Sequence, residues 1–129
     1  MTMDDKIVVE YRGNYVYAAL YGRNNYDISL ELWRQIMATC KEHHCFKILG
    51  ENFTTEKLSV IDAYDHLKIL EIVGITLEYR IAWVSNTPET AFNLEFVETV
   101  VVKNRGLAHG AVFSTFEEAK RWLLGAENQ

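Results

Sequence analysis

Residues 6–21 read KIVVEYRGNYVYAALY. Two runs rich in β-branched and aromatic residues flank Gly13-Asn14, the kind of pair that a tight turn between antiparallel strands favours. The stretch predicts a β-hairpin, with strand Lys6–Arg12 turning into strand Tyr15–Tyr21. Residues 22–27 are turn-rich, and Asp27 is placed to cap the next segment by accepting backbone N–H bonds.

From there the pattern alternates. Ile28, Leu32, Trp33, Ile36, Met37 and Cys40 recur at spacings of three and four, which predicts an amphipathic helix over 28–44. Cys45–Gly50 reads as a short strand and residues 51–58 as a loop. Ser59 with Asp62 resembles a capping box opening a helix over 60–73, and Gly74 sits where a left-handed helix end belongs. Tyr79–Ser85 reads as a strand. Thr87 and Pro88 then open a helix that runs to about Arg105, with proline at the position where a missing N–H costs nothing. Gly110–Phe113 reads as the last strand, and Ser114 or Thr115 caps a final helix ending at Gly125, with Glu117 and Glu118 placed for a capping box.

The order is β-β-α-β-α-β-α-β-α. Strands alternating with helices imply parallel pairing, and the opening hairpin makes one strand antiparallel. The expected fold is therefore α/β: a single mixed, mostly parallel five-stranded sheet with about four helices, in one domain over 1–129.

Composition narrows the function classes. The 129 residues are 49% hydrophobic and 24% charged, with 3 Trp, 7 Tyr and 6 Phe to fill a core and one proline, so global disorder is excluded. The net charge is −5 and the arginines are scattered singly, which disfavours nucleic acid and anionic membrane surfaces as partners. No apolar run approaches the ~20 residues a membrane span needs. The acidic start of the chain lacks the apolar core of a signal peptide. With two cysteines, Cys40 and Cys45, of the kind kept reduced inside cells, the expected location is the cytoplasm.

In open α/β sheets ligands sit beyond the carboxyl ends of the parallel strands. The candidate ligand-binding residues there are Asn52, Thr54, Thr55, Ser59, Asn86, Thr87 and Ser114, beside helix N-termini that offer free N–H groups to an anion. Helix and turn capping alone also explains each of these positions. Cys40, His43, His44 and Cys45 are close in sequence, but lack paired-ligand spacing, so no metal site is expected. No motif asks for a cofactor or requires catalysis, and no catalytic residue is assigned.

The 88–105 segment carries apolar residues around most of its circumference: Phe92, Phe96 and Val100 in one stripe, Leu94, Val97 and Val101 in another, with Val102 extending the surface. Val100-Val101-Val102 is intrinsically poor helix, so packing must hold it. The reading open here is a homodimer interface or a lipid-lined cavity, or else cover by neighbouring helices of the same domain.

Three stretches resemble the SpoIIAA-like group of small bacterial proteins, related to the STAS and Sec14-type α/β fold: Phe46–Glu51 with Leu58–Tyr64, Arg80–Val84 with Phe96–Gly106, and Val112–Leu123. The resemblance implies a non-enzymatic regulatory or binding domain, and the apolar 88–105 segment makes a second copy or another regulatory protein its expected partner. In anti-sigma-factor antagonists of this kind the phosphorylated serine lies in an Asp-Ser-Ser-Gly-like turn opening the second helix. Ser59 occupies a similar place, but Leu58-Ser59-Val60-Ile61 departs from that motif. Sec14-type relatives imply lipid binding instead.

Overall fold

The computed structural model describes residues 6–22, 26–54, 68–69, 71–76, 78–85 and 109–125. Its elements are β1 (Lys6–Tyr11), β2 (Val16–Gly22), α1 (Tyr26–His43), β3 (Lys47–Thr54), β4 (Arg80–Ser85), β5 (His109–Phe113) and α2 (Phe116–Gly125). The five strands hydrogen-bond in the order β1-β2-β3-β4-β5. β1 and β2 are antiparallel, and every later pair is parallel. This is the mixed, mostly parallel sheet the alternation predicts.

Alternation along the strands builds a core on each face. Val16, Ala18 and Leu20 of β2, Ile48 of β3 and Ile81 of β4 pack with Leu32, Trp33, Ile36, Met37 and Cys40 of α1. Tyr15, Tyr17, Ala19, Leu49, Ala82 and Val84 pack on the other face with Ala119 and Leu123 of α2. β2 is closed in from both sides, so its run from Val16 to Leu20 is buried without a break. The sheet is the middle of three layers, and the stripe read from the sequence is the buried face of α1.

At the centre of the sheet Gly50 lies opposite Trp83. A methyl group at Gly50 would overlap three ring carbons of the Trp83 indole. On its way across β3 the indole meets Trp33 of α1, with ring centroids 5.9 Å apart and planes at 23°. A residue without a side chain on β3 thus makes room for the ring pair that ties α1 to β4.

Helix ends obey the local chemistry. Glu118 N–H donates to Thr115 Oγ1 at 3.2 Å, and the Thr115 hydroxyl donates to the Glu118 carboxylate at 3.0 Å, so Thr115 rather than Ser114 caps α2. α1 begins at Tyr26, which puts Asp27 inside its first turn rather than ahead of it. There the carboxylate faces the positive end of the helix dipole. α1 ends in a Schellman turn: Cys45 N–H donates to Cys40 O at 2.9 Å and His44 N–H to Lys41 O at 3.5 Å, with His44 at φ 50°. Residues 71–73 are helical and Gly74, at φ 89°, ends them in the left-handed conformation expected of it. Residues 59–67 and 70, which carry the expected capping box and most of the helix read over 60–73, lie outside the described residues, as does the segment read as a helix from Pro88 to Arg105.

One strand differs from expectation. β3 runs on to Thr54, through Glu51 and Asn52, which the sequence reading places in a loop. Neighbours on both sides explain it: Asn52 is opposite Leu20 of β2 and Ser85 of β4, so the backbone stays paired where the side chains turn polar.

The two left-handed helix ends, His44 and Gly74, give a paired test. Gly74→Ala should lower the unfolding free energy by about 1 kcal/mol, because a Cβ is strained there. His44→Gly should raise it by about 0.5 kcal/mol, strain relief being partly offset by unfolded-chain entropy. Urea denaturation of both variants checks the signs.

Candidate functional site

The carboxyl edge of the sheet is where the fold class places ligands, and three of the seven candidate residues are described there. Asn52 lies near the end of β3 with 6% of its surface exposed. Thr54 ends β3, opposite Gly22. Ser114 follows β5 and is exposed. Asn52 pairs with Ser85, and Val84 with Phe113, so the register carries Asn52, Ser85 and Ser114 across three neighbouring strand ends. Thr55, Ser59, Asn86 and Thr87 lie outside the described residues, as do the interface candidates Phe92, Phe96, Val97, Val100 and Val101.

Asn52 is thus a buried strand residue, not a loop residue. With Ser29 of α1, 3% exposed, it belongs to the buried polar groups of the described residues, and both side chains are engaged. On the opposite face of the same edge the rings of Tyr21 and Phe53 stack with centroids 4.7 Å apart, and Tyr21 is 36% exposed. One pleat earlier the Tyr17 hydroxyl donates to Glu51 Oε1 at 2.7 Å, and the Arg12 guanidinium lies 3.7 Å above the Tyr17 ring. Burial, the bond to Glu51 and its charge all push the Tyr17 phenol up from its ordinary range. The edge therefore has a polar side, towards α1, and an aromatic side, towards α2.

The amino edge holds a feature that sequence reasoning missed. An open cleft of about 290 Å³ lies between the hairpin, through Tyr11 and Asn14, and the end of α1 with its exit, from His43 and His44 through Cys45 and Phe46 to Lys47. The Tyr11 ring stacks on the His43 imidazole at 3.9 Å with planes 10° apart, and the Tyr11 hydroxyl donates to Gly13 O. The sequence signal was the His43-His44-Cys45 cluster, but its aromatic partner lies 32 residues upstream and only the fold brings it in.

The cysteines are small buried fillers. Cys40 is 1% exposed and Cys45 9%. Burial, and then the neighbouring Cys45, push the Cys40 thiol up to about 12. Among the described residues no three His, Cys, Asp or Glu side chains are grouped to hold a metal ion. No helix among them is long and apolar enough to cross a membrane.

The same architecture occurs in the crystal structure of an anti-sigma factor antagonist from Mycobacterium paratuberculosis. The match has a TM-score of 0.59, covers 95% of this chain and 97% of that chain, and shows 14% sequence identity. The likeness establishes a shared fold, the SpoIIAA- and STAS-like α/β fold implied by the sequence resemblance. No family model matches the chain, and no curated protein matches it.

Cys40 gives the fold an alkaline weakness. Its thiol is raised in the folded state, so its contribution is complete below the ordinary thiol value near ~8.5 and is lost as pH rises towards about 12. Tyr17 and Tyr79, both raised first of all by burial, act in the same direction at higher pH. The stability advantage of the wild type over Cys40→Ala, from urea denaturation, should shrink between about pH 8 and about pH 11. An advantage constant with pH would show the thiol ionising freely in the fold.

Proposed function

We propose that this chain is a non-enzymatic regulatory domain that acts by binding protein, either a second copy of itself or another regulator. The observation that carries the reading is the end-to-end match in fold to an anti-sigma factor antagonist. The composition supports it: a net charge of −5 with dispersed arginines suits a protein partner better than a polyanion. In this reading the apolar surface of the 88–105 segment is the contact, with Phe92, Phe96, Val97, Val100 and Val101 at its centre. In this reading the domain works in the cytoplasm.

A second reading is favoured by one observation, the register that aligns Asn52, Ser85 and Ser114 on adjacent strand ends. In it Asn52, Thr54, Thr55, Ser59, Asn86, Thr87 and Ser114 hold a small anion or the head of a lipid at the carboxyl edge, next to the helix N-termini.

Sedimentation equilibrium separates the two. The first reading expects a dimer of the 14.9 kDa chain that Phe96→Asp or Val101→Asp converts to a folded monomer. A wild type that stays monomeric at high micromolar concentration contradicts self-association. The second reading expects phosphate or a fatty acid to raise the melting temperature, since ligand at ~100 times its dissociation constant adds about 2.7 kcal/mol. No shift with either class of ligand contradicts it.

A further inference from the structure

β1 is an edge strand, and its sequence is complementary to itself. Among the described residues it has one neighbour, β2, in an unbroken register from Lys6 opposite Tyr21 to Tyr11 opposite Val16. Arg12 N–H donates to Tyr15 O at 2.9 Å, continuing the same register by one pair. Hydrogen-bonded and non-hydrogen-bonded pairs alternate in an antiparallel ladder. Arg12, Glu10, Val8 and Lys6 therefore turn their backbone groups towards β2, and Tyr11, Val9 and Ile7 turn theirs outward. An outward row of N–H and C=O groups is a template for another strand. Proline and bulges, which commonly blunt such an edge, are missing from β1, and Ile7, Val8 and Val9 at its middle are half-buried β-branched residues.

We propose that β1 is the surface through which two copies of this chain join, antiparallel, about a twofold axis at Val8. The outward phase of Ile7 and Val9 allows an antiparallel twin to centre on Ile7, Val8 or Val9. Centring on Val9 sets Lys6 against Arg12 of the second copy, two like charges. Centring on Ile7 sets Lys6 against the apolar Val8. Centring on Val8 sets Ile7 against Val9, so that these residues exchange both backbone hydrogen bonds in each of two symmetric pairs. It also sets Lys6 against Glu10 in two symmetric opposite-charge pairs, with both side chains exposed on the same side of the strand. The occupant that this charge pattern fits is a second β1, and the contact is isologous. The two sheets then run into one. The inference rests on the self-association reading and makes β1 the rival of the 88–105 segment as the seam between copies, so substitutions on one surface and not the other dissociate the dimer.

Charge reversal with rescue tests it. Lys6→Glu places glutamate against Glu10 twice, and Glu10→Lys places lysine against Lys6 twice. Each should raise the dimer dissociation constant about tenfold at low salt, and Lys6→Glu with Glu10→Lys together should restore it. Both side chains are exposed, and far-ultraviolet circular dichroism checks that the variants fold. A mutation-free readout is amide exchange: the Ile7 and Val9 N–H groups should slow as protein concentration rises. A double variant as weak as the single ones, or Ile7 and Val9 amides indifferent to concentration, overturns the edge contact. A dimer untouched by the reversals but dissociated by Val101→Asp overturns it while leaving self-association standing. A wild type monomeric at high micromolar concentration overturns both.

Discussion

The Trp83 indole lies across the backbone of β3 at Gly50, and much of the molecule is arranged around that contact. A side chain at position 50 would displace the ring. The same ring stacks on Trp33, so the contact fixes how α1 sits over the central strands. The Trp83 Nε1 is buried and has no hydrogen-bond partner among the described residues. An orphaned buried donor costs about 1–3 kcal/mol, so the packing of the two indoles must outweigh it. On the other face Arg80 plays a matching part: its guanidinium lies 3.8 Å over the Trp122 ring and donates to Trp122 O at 3.3 Å, which ties α2 to the start of the same strand. β4 thus carries the anchors of both covering layers.

With the centre fixed, the margins of the sheet acquire separate characters. The carboxyl edge combines buried Asn52 with the Tyr21–Phe53 stack, polar towards α1 and aromatic towards α2. The amino edge has the cleft between the hairpin and the exit of α1, held by Tyr11 on His43. The lateral margin at β1 is a strand with half its backbone groups turned outward. The centre and its distinct margins together make up the fold shared with an anti-sigma factor antagonist.

Much of this was legible in the chain because the signals were local. Gly13-Asn14 marks the hairpin, and Gly13 has φ 95°. The stripe from Leu32 to Cys40 is the buried face of α1, and Thr115 with Glu118 caps α2. The failures were non-local. Glu51 and Asn52 look like loop residues until Tyr17, 34 positions earlier, supplies a hydroxyl to Glu51 and flanking strands pair their backbone. The cleft was invisible because Tyr11 and His43 meet only after β1 and the end of α1 are set side by side. Gly50 reads in sequence as the last residue of a short strand, and its role appears only when Trp83 is placed opposite it.

The dependence of the sheet on the Gly50–Trp83 contact is open to a double-mutant cycle by urea denaturation. Gly50→Ala in the wild type should cost about 1–3 kcal/mol, the usual range for forcing a methyl into a packed core. In a Trp83→Leu background, with the overlapping ring removed, the same substitution should cost less than about 0.5 kcal/mol, a coupling of the size expected for residues in contact. An equal penalty in both backgrounds would contradict that dependence, because it would place the constraint at Gly50 in its own backbone and not in the ring above it.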